Sequence, residues 1–432
     1  MENHAASASV PFREAFLYWF KLGFINFGGP AGQIAMMHKT LVEERGWIGE
    51  KLFLRALNFC MLLPGPEAHQ LAVYIGWRLN GIRGGAAAGL CFLLPSVGLM
   101  LALSWLAAAK GQLPAVSGIF HGIAAAVVAI VLEAVLTIGR KSLRHPILYA
   151  FAGSSFVLGY FFNVPFPAIV ALAALGGPVL SRTHPEIFCQ RLPGLKECAP
   201  EPVAEAAPLP SLWHVARVTA LFGLIWAAVA LPVFWRWGLS DILSDIVLFF
   251  TKAPFVTFGG AYAVLSYITD HAVQLGWMNE KEILLGLGLA ETTPGPLIMV
   301  TQYVGFITAW NHPGAATPLV HGLLGGLLTT FCTFLPSFLF IFALAPFVEA
   351  LTSNRKIAAA LNGITAAVVG VVLKLAVFFA VNTFLPKDAG PDFFALAVAG
   401  LTFLAIWRLK PPVHFVVLAS GLAGLVWQLA VL

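Results

Sequence analysis

Two lysines occupy matched positions in apolar surroundings. Lys21 lies seven residues before Gly28 of Phe27-Gly28-Gly29, and Lys252 lies seven before Gly259 of Phe258-Gly259-Gly260. A cation inside an apolar stretch is costly and needs a task. Two of them suit a divalent anion; the alternative is that both snorkel to the headgroups. Pro64-Gly65-Pro66 and Pro294-Gly295-Pro296 interrupt the next apolar segments in the same way. Glycine lets backbone approach a ligand closely, and proline removes N–H groups that a break would orphan and opens a new half-helix. Half-helix N-termini that converge present positive ends to an anion. The plainer reading is that these residues only shape packing and kinks. Asn26, Gln33, His69 and Gln70 lie beside the first pair of breaks, and Thr257, Thr292, Thr293, Thr301 and Gln302 beside the second. Glu67 directly follows Pro66, and Glu291 lies three residues before Pro294. Each is a candidate proton-coupling acid or a cap for a half-helix N-terminus. Glu133 and Lys374 are expected to form a structural ion pair. No Cys/His cluster has metal-ligand spacing, so no metal is expected.

The elements that must hold these residues are membrane helices. Of 432 residues, 59% are hydrophobic and 10% charged, against about 25% charged in soluble domains. That excludes a soluble enzyme, a disordered chain and a nucleic-acid binder, and predicts an all-α polytopic membrane protein. The five cysteines include no CxxC, and neither disulfides nor zinc are expected. The polar start lacks a basic region, and the first apolar run carries Arg13 and Lys21, which argues against a cleaved signal peptide. Several apolar runs fall short of the ~20 residues of a spanning helix, or are broken in the middle. A stretch rich in Pro, Ala and Glu, residues 182–211, reads as a flexible cytoplasmic linker.

The halves on either side of that linker are copies. Lys21 to Gly29 matches Lys252 to Gly260, Gly46-Trp47 matches Gly276-Trp277, and Pro64-Gly65-Pro66 matches Pro294-Gly295-Pro296. Gly84-Gly85 matches Gly325-Gly326, Cys91 and Pro95-Ser96 match Cys332 and Pro336-Ser337, and Gly122 to Leu132 matches Gly363 to Leu373. The first repeat covers 12–181 and the second 241–431. Arg140, Lys141 and Arg144 follow the Gly122 helix, whereas Arg355 and Lys356 precede its partner. Lys and Arg collect on the cytoplasmic side, so the copies are expected to be inverted, with 212–235 as the extra transmembrane helix that flips the second. This places the N-terminus and the linker in the cytoplasm and the C-terminus in the periplasm. The broken segments form either re-entrant hairpins, giving nine crossings, or full crossings, giving thirteen.

The paired Phe-Gly-Gly motifs, the two Pro-Gly-Pro motifs with Gly46-Trp47 and Gly276-Trp277 between them, and the Leu94-Pro95-Ser96 and Leu335-Pro336-Ser337 turns resemble the chromate ion transporter (CHR) family in its long-chain, two-domain form. The resemblance implies a secondary active carrier of the bacterial inner membrane that exports chromate, with sulfate as analogue and competitor, and marks those motif residues as functional. The expected binding set is Lys21, Asn26, Phe27, Gly28, Gly29, Gln33, Pro64, Gly65, Pro66 and Gln70 in the first copy. In the second it is Lys252, Thr257, Phe258, Gly259, Gly260, Thr292, Thr293, Pro294, Gly295 and Pro296. Expected partners are the oxyanion, a proton as antiported counter-ion, the lipid bilayer and a second copy in a homodimer; no cofactor and no nucleic acid are expected. Two departures stand out: copy two has Ala261 where copy one has Pro30, and Glu43-Glu44-Arg45 has no charged counterpart before Gly276. An uptake or exchange route for sulfate or another anion remains an alternative, as does a membrane enzyme on a lipid-linked substrate. No HExxH or Ser/His/Asp set supports the enzyme, and no phosphate loop supports drive by ATP within this chain.

Overall fold

Proline and capping residues divide the chain into helices where the sequence changes from apolar to polar. The computed structural model describes residues 10–27, 29–184, 187, 212–258, 260–314, 316–348, 355–386 and 390–431. All regular structure among them is helical. The first half holds α1 (Phe12–Ile25), α2 (Gly29–His38), α3 (Glu50–Leu62), α4 (Glu67–Lys110), α5 (Pro114–Ser142), α6 (Pro146–Tyr160) and α7 (Phe166–Leu180). α8 (Leu212–Trp237) stands between the halves in sequence. The second half holds α9 (Ile242–Val256), α10 (Ala261–Gln274), α11 (Glu280–Thr292), α12 (Val300–Asn311), α13 (Pro318–Leu344), α14 (Arg355–Phe384), α15 (Phe393–Leu409) and α16 (Val413–Val431). Proline opens α5, α6 and α13, where its missing N–H costs nothing. Asp241, Thr317 and Asp392 cap α9, α13 and α15, and Asn279 with Glu282 closes a reciprocal capping box on α11.

Among the described residues, six helical stretches are long and apolar enough to cross a bilayer: 67–110, 114–142, 212–237, 318–347, 356–384 and 413–431. The protein is therefore a multi-pass helical membrane protein. The expected connecting helix is α8, which extends to Trp237. It packs sparingly, through Trp226 Nε1 donating to Thr251 Oγ1 (2.8 Å) and His214 against the Phe342 carbonyl (3.1 Å). Most of the expected linker, and Gly28 and Gly259 with it, lie outside the described residues.

The motif-bearing runs are split at their motifs. The run from 12 to 38 becomes α1 and α2, and 52–77 becomes α3 and the start of α4. At 14 residues α1 is about 21 Å long, short of the ~30 Å hydrocarbon core. α4 itself bends back at Asn80-Gly81, where Gly81 has φ +64°. Around this bend Gly76 and Gly84 meet backbone to backbone, and a Cβ on Gly76 would come within 2.5 Å of the Gly84 carbonyl oxygen. The matched pair Gly305 and Gly325 does the same between α12 and α13.

The long helix after the breaks packs across the halves. In α5, Gly118 and Gly122 lie directly on the Gly424 and Ser420 backbone of α16. In α14, Gly363 lies on Ala173 and Gly177 of α7, and Gly370 on Ala152 of α6. Each repeat thus lends its long helix to the last helices of the other. Small residues permit this approach, which in lipid depends on van der Waals contact rather than water exclusion.

Candidate functional site

The four breaks pair in trans. The Gly65 N–H of the first Pro-Gly-Pro donates to the carbonyl of Thr257, the residue before Phe258, at 3.3 Å. The Gly295 N–H of the second donates to the carbonyl of Asn26, the residue before Phe27, also at 3.3 Å. These are the same two positions of the duplication, exchanged between copies. Both turns need glycine, with φ of +115° at Gly65 and +112° at Gly295. Two glutamine amides fasten the crossings: Gln33 Nε2 donates to the carbonyls of Asn26 and Gly295, and Gln70 Nε2 to that of Pro64 (2.8 Å).

A serine from the opposite half closes each crossing. A Cβ on Gly295 would lie 2.6 Å from Ser96 Cβ and 2.7 Å from its Oγ; one on Gly65 would lie 3.3 Å from Ser337 Oγ and 3.0 Å from Gln70 Nε2. Both amide atoms of Asn26, the Oε1 atoms of Gln33, Gln70 and Gln302, and the hydroxyls of Ser96, Ser337 and Thr301 are buried without a hydrogen-bond partner. Such a group costs about 1–3 kcal/mol if nothing fills it, and those of Asn26, Gln33, Gln70, Ser96 and Ser337 sit at the crossings themselves. His69, by contrast, is boxed by the rings of Phe92, Phe334 and Phe338, with centroids 6.0, 5.1 and 5.1 Å away.

Other expected ligands are committed elsewhere. The hydroxyls of Thr257, Thr292 and Thr293 donate to the carbonyls of Ala253, Leu289 and Ala290. Lys21 and Lys252 are exposed on the outer faces of α1 and α9, whereas Asn26, Gln33, Gln70 and Thr257 are buried. Both cations thus lie apart from the crossings in this structure, at positions from which a long side chain can reach the headgroups. The expected Glu133–Lys374 pair is corrected. Lys374 Nζ binds Asp270 Oδ2 at 2.7 Å, and Glu133 accepts from Thr137.

The acids sit in two places. Glu67, in the first turn of α4, brings Oε1 to 3.6 Å from where a Cβ would stand on Gly260, the residue that opens α10. Its carboxylate therefore lies against helix starts from both copies, where negative charge is favoured. Glu291 accepts from the Tyr262 hydroxyl at 2.8 Å. Sequence reading missed Tyr262 and Asp270, which join a break in one copy to polar groups on neighbouring helices. It also missed His414, whose ring centroid lies 4.9 Å from that of Phe27. The clue for Asp270 was an acid without a partner of its own in an apolar helix.

Broken segments from two halves, meeting around unsatisfied polar groups in a multi-pass helical protein, define a class of membrane protein with a central polar site. The chain belongs to the chromate transporter family, whose model matches residues 13–178 and again 244–425. It is similar to a chromate transport protein of Pseudomonas aeruginosa, 32% identical over 430 residues, covering 98% of this chain and 94% of that one. A chromate transport protein of Cupriavidus metallidurans is 28% identical over 420 residues, 96% and 92% of the two chains. A probable chromate transport protein of Synechococcus elongatus is 26% identical over 418 residues, 95% and 94% of the two chains. No solved structure matches the chain.

Proposed function

We propose that the protein is a secondary active carrier that exports chromate across a bacterial inner membrane in exchange for protons. The observation that carries this reading is the reciprocal pairing of Gly65 with Thr257 and Gly295 with Asn26, in a chain of this family. If the copies are inverted, as the lysine and arginine distribution argues, the two crossings open to opposite faces and exchange roles during the cycle.

Glu67 supplies the exchange. A carboxylate lying against helix starts from both copies occupies ground that a tetrahedral dianion would use. The anion displaces it at the cytoplasmic face. Once the anion has left at the outer face, the displaced acid takes up a proton there, carries it inward on the return leg and releases it to the cytoplasm, and the carboxylate resumes its place. Glu291, held by Tyr262, is the second proton acceptor. The membrane potential favours the outward leg, since each charge is worth about 2.3 kcal/mol per 100 mV.

A chromate-sensitive bacterial host expressing the full chain tests the reading. Export lowers cell-associated chromate and raises the tolerated concentration. An increase in cell-associated chromate would reverse the direction and favour uptake.

A further inference from the structure

Several helical serines and threonines in this protein satisfy their hydroxyls locally, while buried Thr269, Thr301, Thr308, Thr329, Thr333 and Thr383 have no hydrogen-bond partner. Ser104 donates to the Met100 carbonyl, Thr330 to that of Gly326 and Thr365 to that of Leu361, each four residues back. Ser96 and Ser337 belong to the unpaired set and are set apart by their position. They follow Pro95 and Pro336 inside α4 and α13, are 0% and 1% exposed, and make no hydrogen bond. Instead each abuts the glycine of the opposite half's Pro-Gly-Pro turn: Ser96 abuts Gly295, and Ser337 abuts Gly65. The two serines are matched positions of the duplication, as are the two glycines. Asn26, whose carbonyl accepts from Gly295, adds an amide with no partner on either atom.

We infer that Ser96 and Ser337 are hydroxyl donors to the transported tetrahedral dianion, each serving the crossing whose Pro-Gly-Pro turn comes from the other half. The inference rests on the carrier reading above and names the ligands of that site. With both lysines on the outer surface, neutral donors must carry the recognition, and a hydroxyl can turn its hydrogen toward an oxyanion without bringing a fixed charge. Hydrogen bonds to a charged group are the stronger kind, and a donor with no protein partner gains most when the anion arrives. The exchanged placement also gives each half a hold on the anion that depends on its partner, so movement of one half against the other remakes both contacts.

Purified full-length protein in proteoliposomes tests this by chromate counterflow. Ser96→Ala and Ser337→Ala should each raise the half-saturating chromate concentration about tenfold, the value of one hydrogen bond to a charged group. The double variant should exceed either. Thermal stability should hold or rise, because a buried unpaired hydroxyl is removed. Ser96→Cys and Ser337→Cys keep the volume with a weaker donor and should follow the alanines. A double alanine variant with unchanged half-saturation would overturn the inference, as would recovery of affinity by cysteine, which would mean the serines only fill space. Stabilisation of the detergent-solubilised protein by added chromate gives a second reading: the wild type should gain more than the serine variants. If the wild type shows no counterflow, the carrier reading fails, and this thermal shift still decides whether the serines hold the anion.

Discussion

At the residue scale, the glycines at the crossings differ in what they tolerate. Gly29 has φ +66° but open space around a Cβ, whereas Gly295 combines φ +112° with Ser96 Cβ at 2.6 Å. Gly29→Ala should cost about 1 kcal/mol of strain. Gly295→Ala should cost about 1–3 kcal/mol from backbone alone and push Ser96 away as well. Melting temperatures of the purified variants should follow that order, and transport should be lost only in Gly295→Ala. The lysines make the opposite case. Exposed on α1 and α9, Lys21 and Lys252 should be replaceable by alanine without change in half-saturating chromate; a matched loss of affinity in both variants would return them to the site. Glu67→Gln should free chromate flux from the pH gradient while preserving chromate exchange, measured by counterflow with and without an imposed gradient. Loss of exchange as well would mean that Glu67 is needed for binding itself.

At the scale of elements, the ion pair between α10 and α14 is a join inside the second half. Lys374 and Asp270 meet at 2.7 Å with side chains 16% and 31% exposed. Asp270→Asn should destabilise the protein by about 2 kcal/mol, and exchanging the two residues should recover much of it, both read by thermal unfolding. What the sequence disclosed at this scale follows from chemistry. Pro-Gly-Pro and Phe-Gly-Gly end helices wherever they occur, so the split of each run into half-helices was legible, and so was α8. Depth and rotation were not. An apolar helix in lipid lacks the polar stripe that orients a helix in water, so nothing in residues 12–25 shows which side Lys21 faces. Lys374 was matched to Glu133 by the duplication, yet α10 carries the nearer acid. Thr257, Thr292 and Thr293 looked like free donors because a sequence cannot show a hydroxyl turned back on its own helix.

At the scale of the whole molecule, duplication explains what no single segment does. Each half begins with two broken segments and continues with a long helix that packs on the other half, α5 on α16 and α14 on α6 and α7. The breaks then meet in trans, with Gly65 on Thr257 and Gly295 on Asn26. The repeat itself could be read from ordered motif matches, but the exchange of partners could not, since either half alone offers the same groups. The differences between the copies include the acids: Glu67 and Glu291 have Leu297 and Met61 at the matched places. The most direct test is accumulation of labelled chromate by inside-out membrane vesicles from cells expressing the full chain, energised so that the interior is acidic and positive. Uphill accumulation, abolished by collapsing the gradient and reduced by excess sulfate, is the predicted result; energised vesicles that fail to concentrate chromate, or that release preloaded chromate when energised, would contradict proton-driven export.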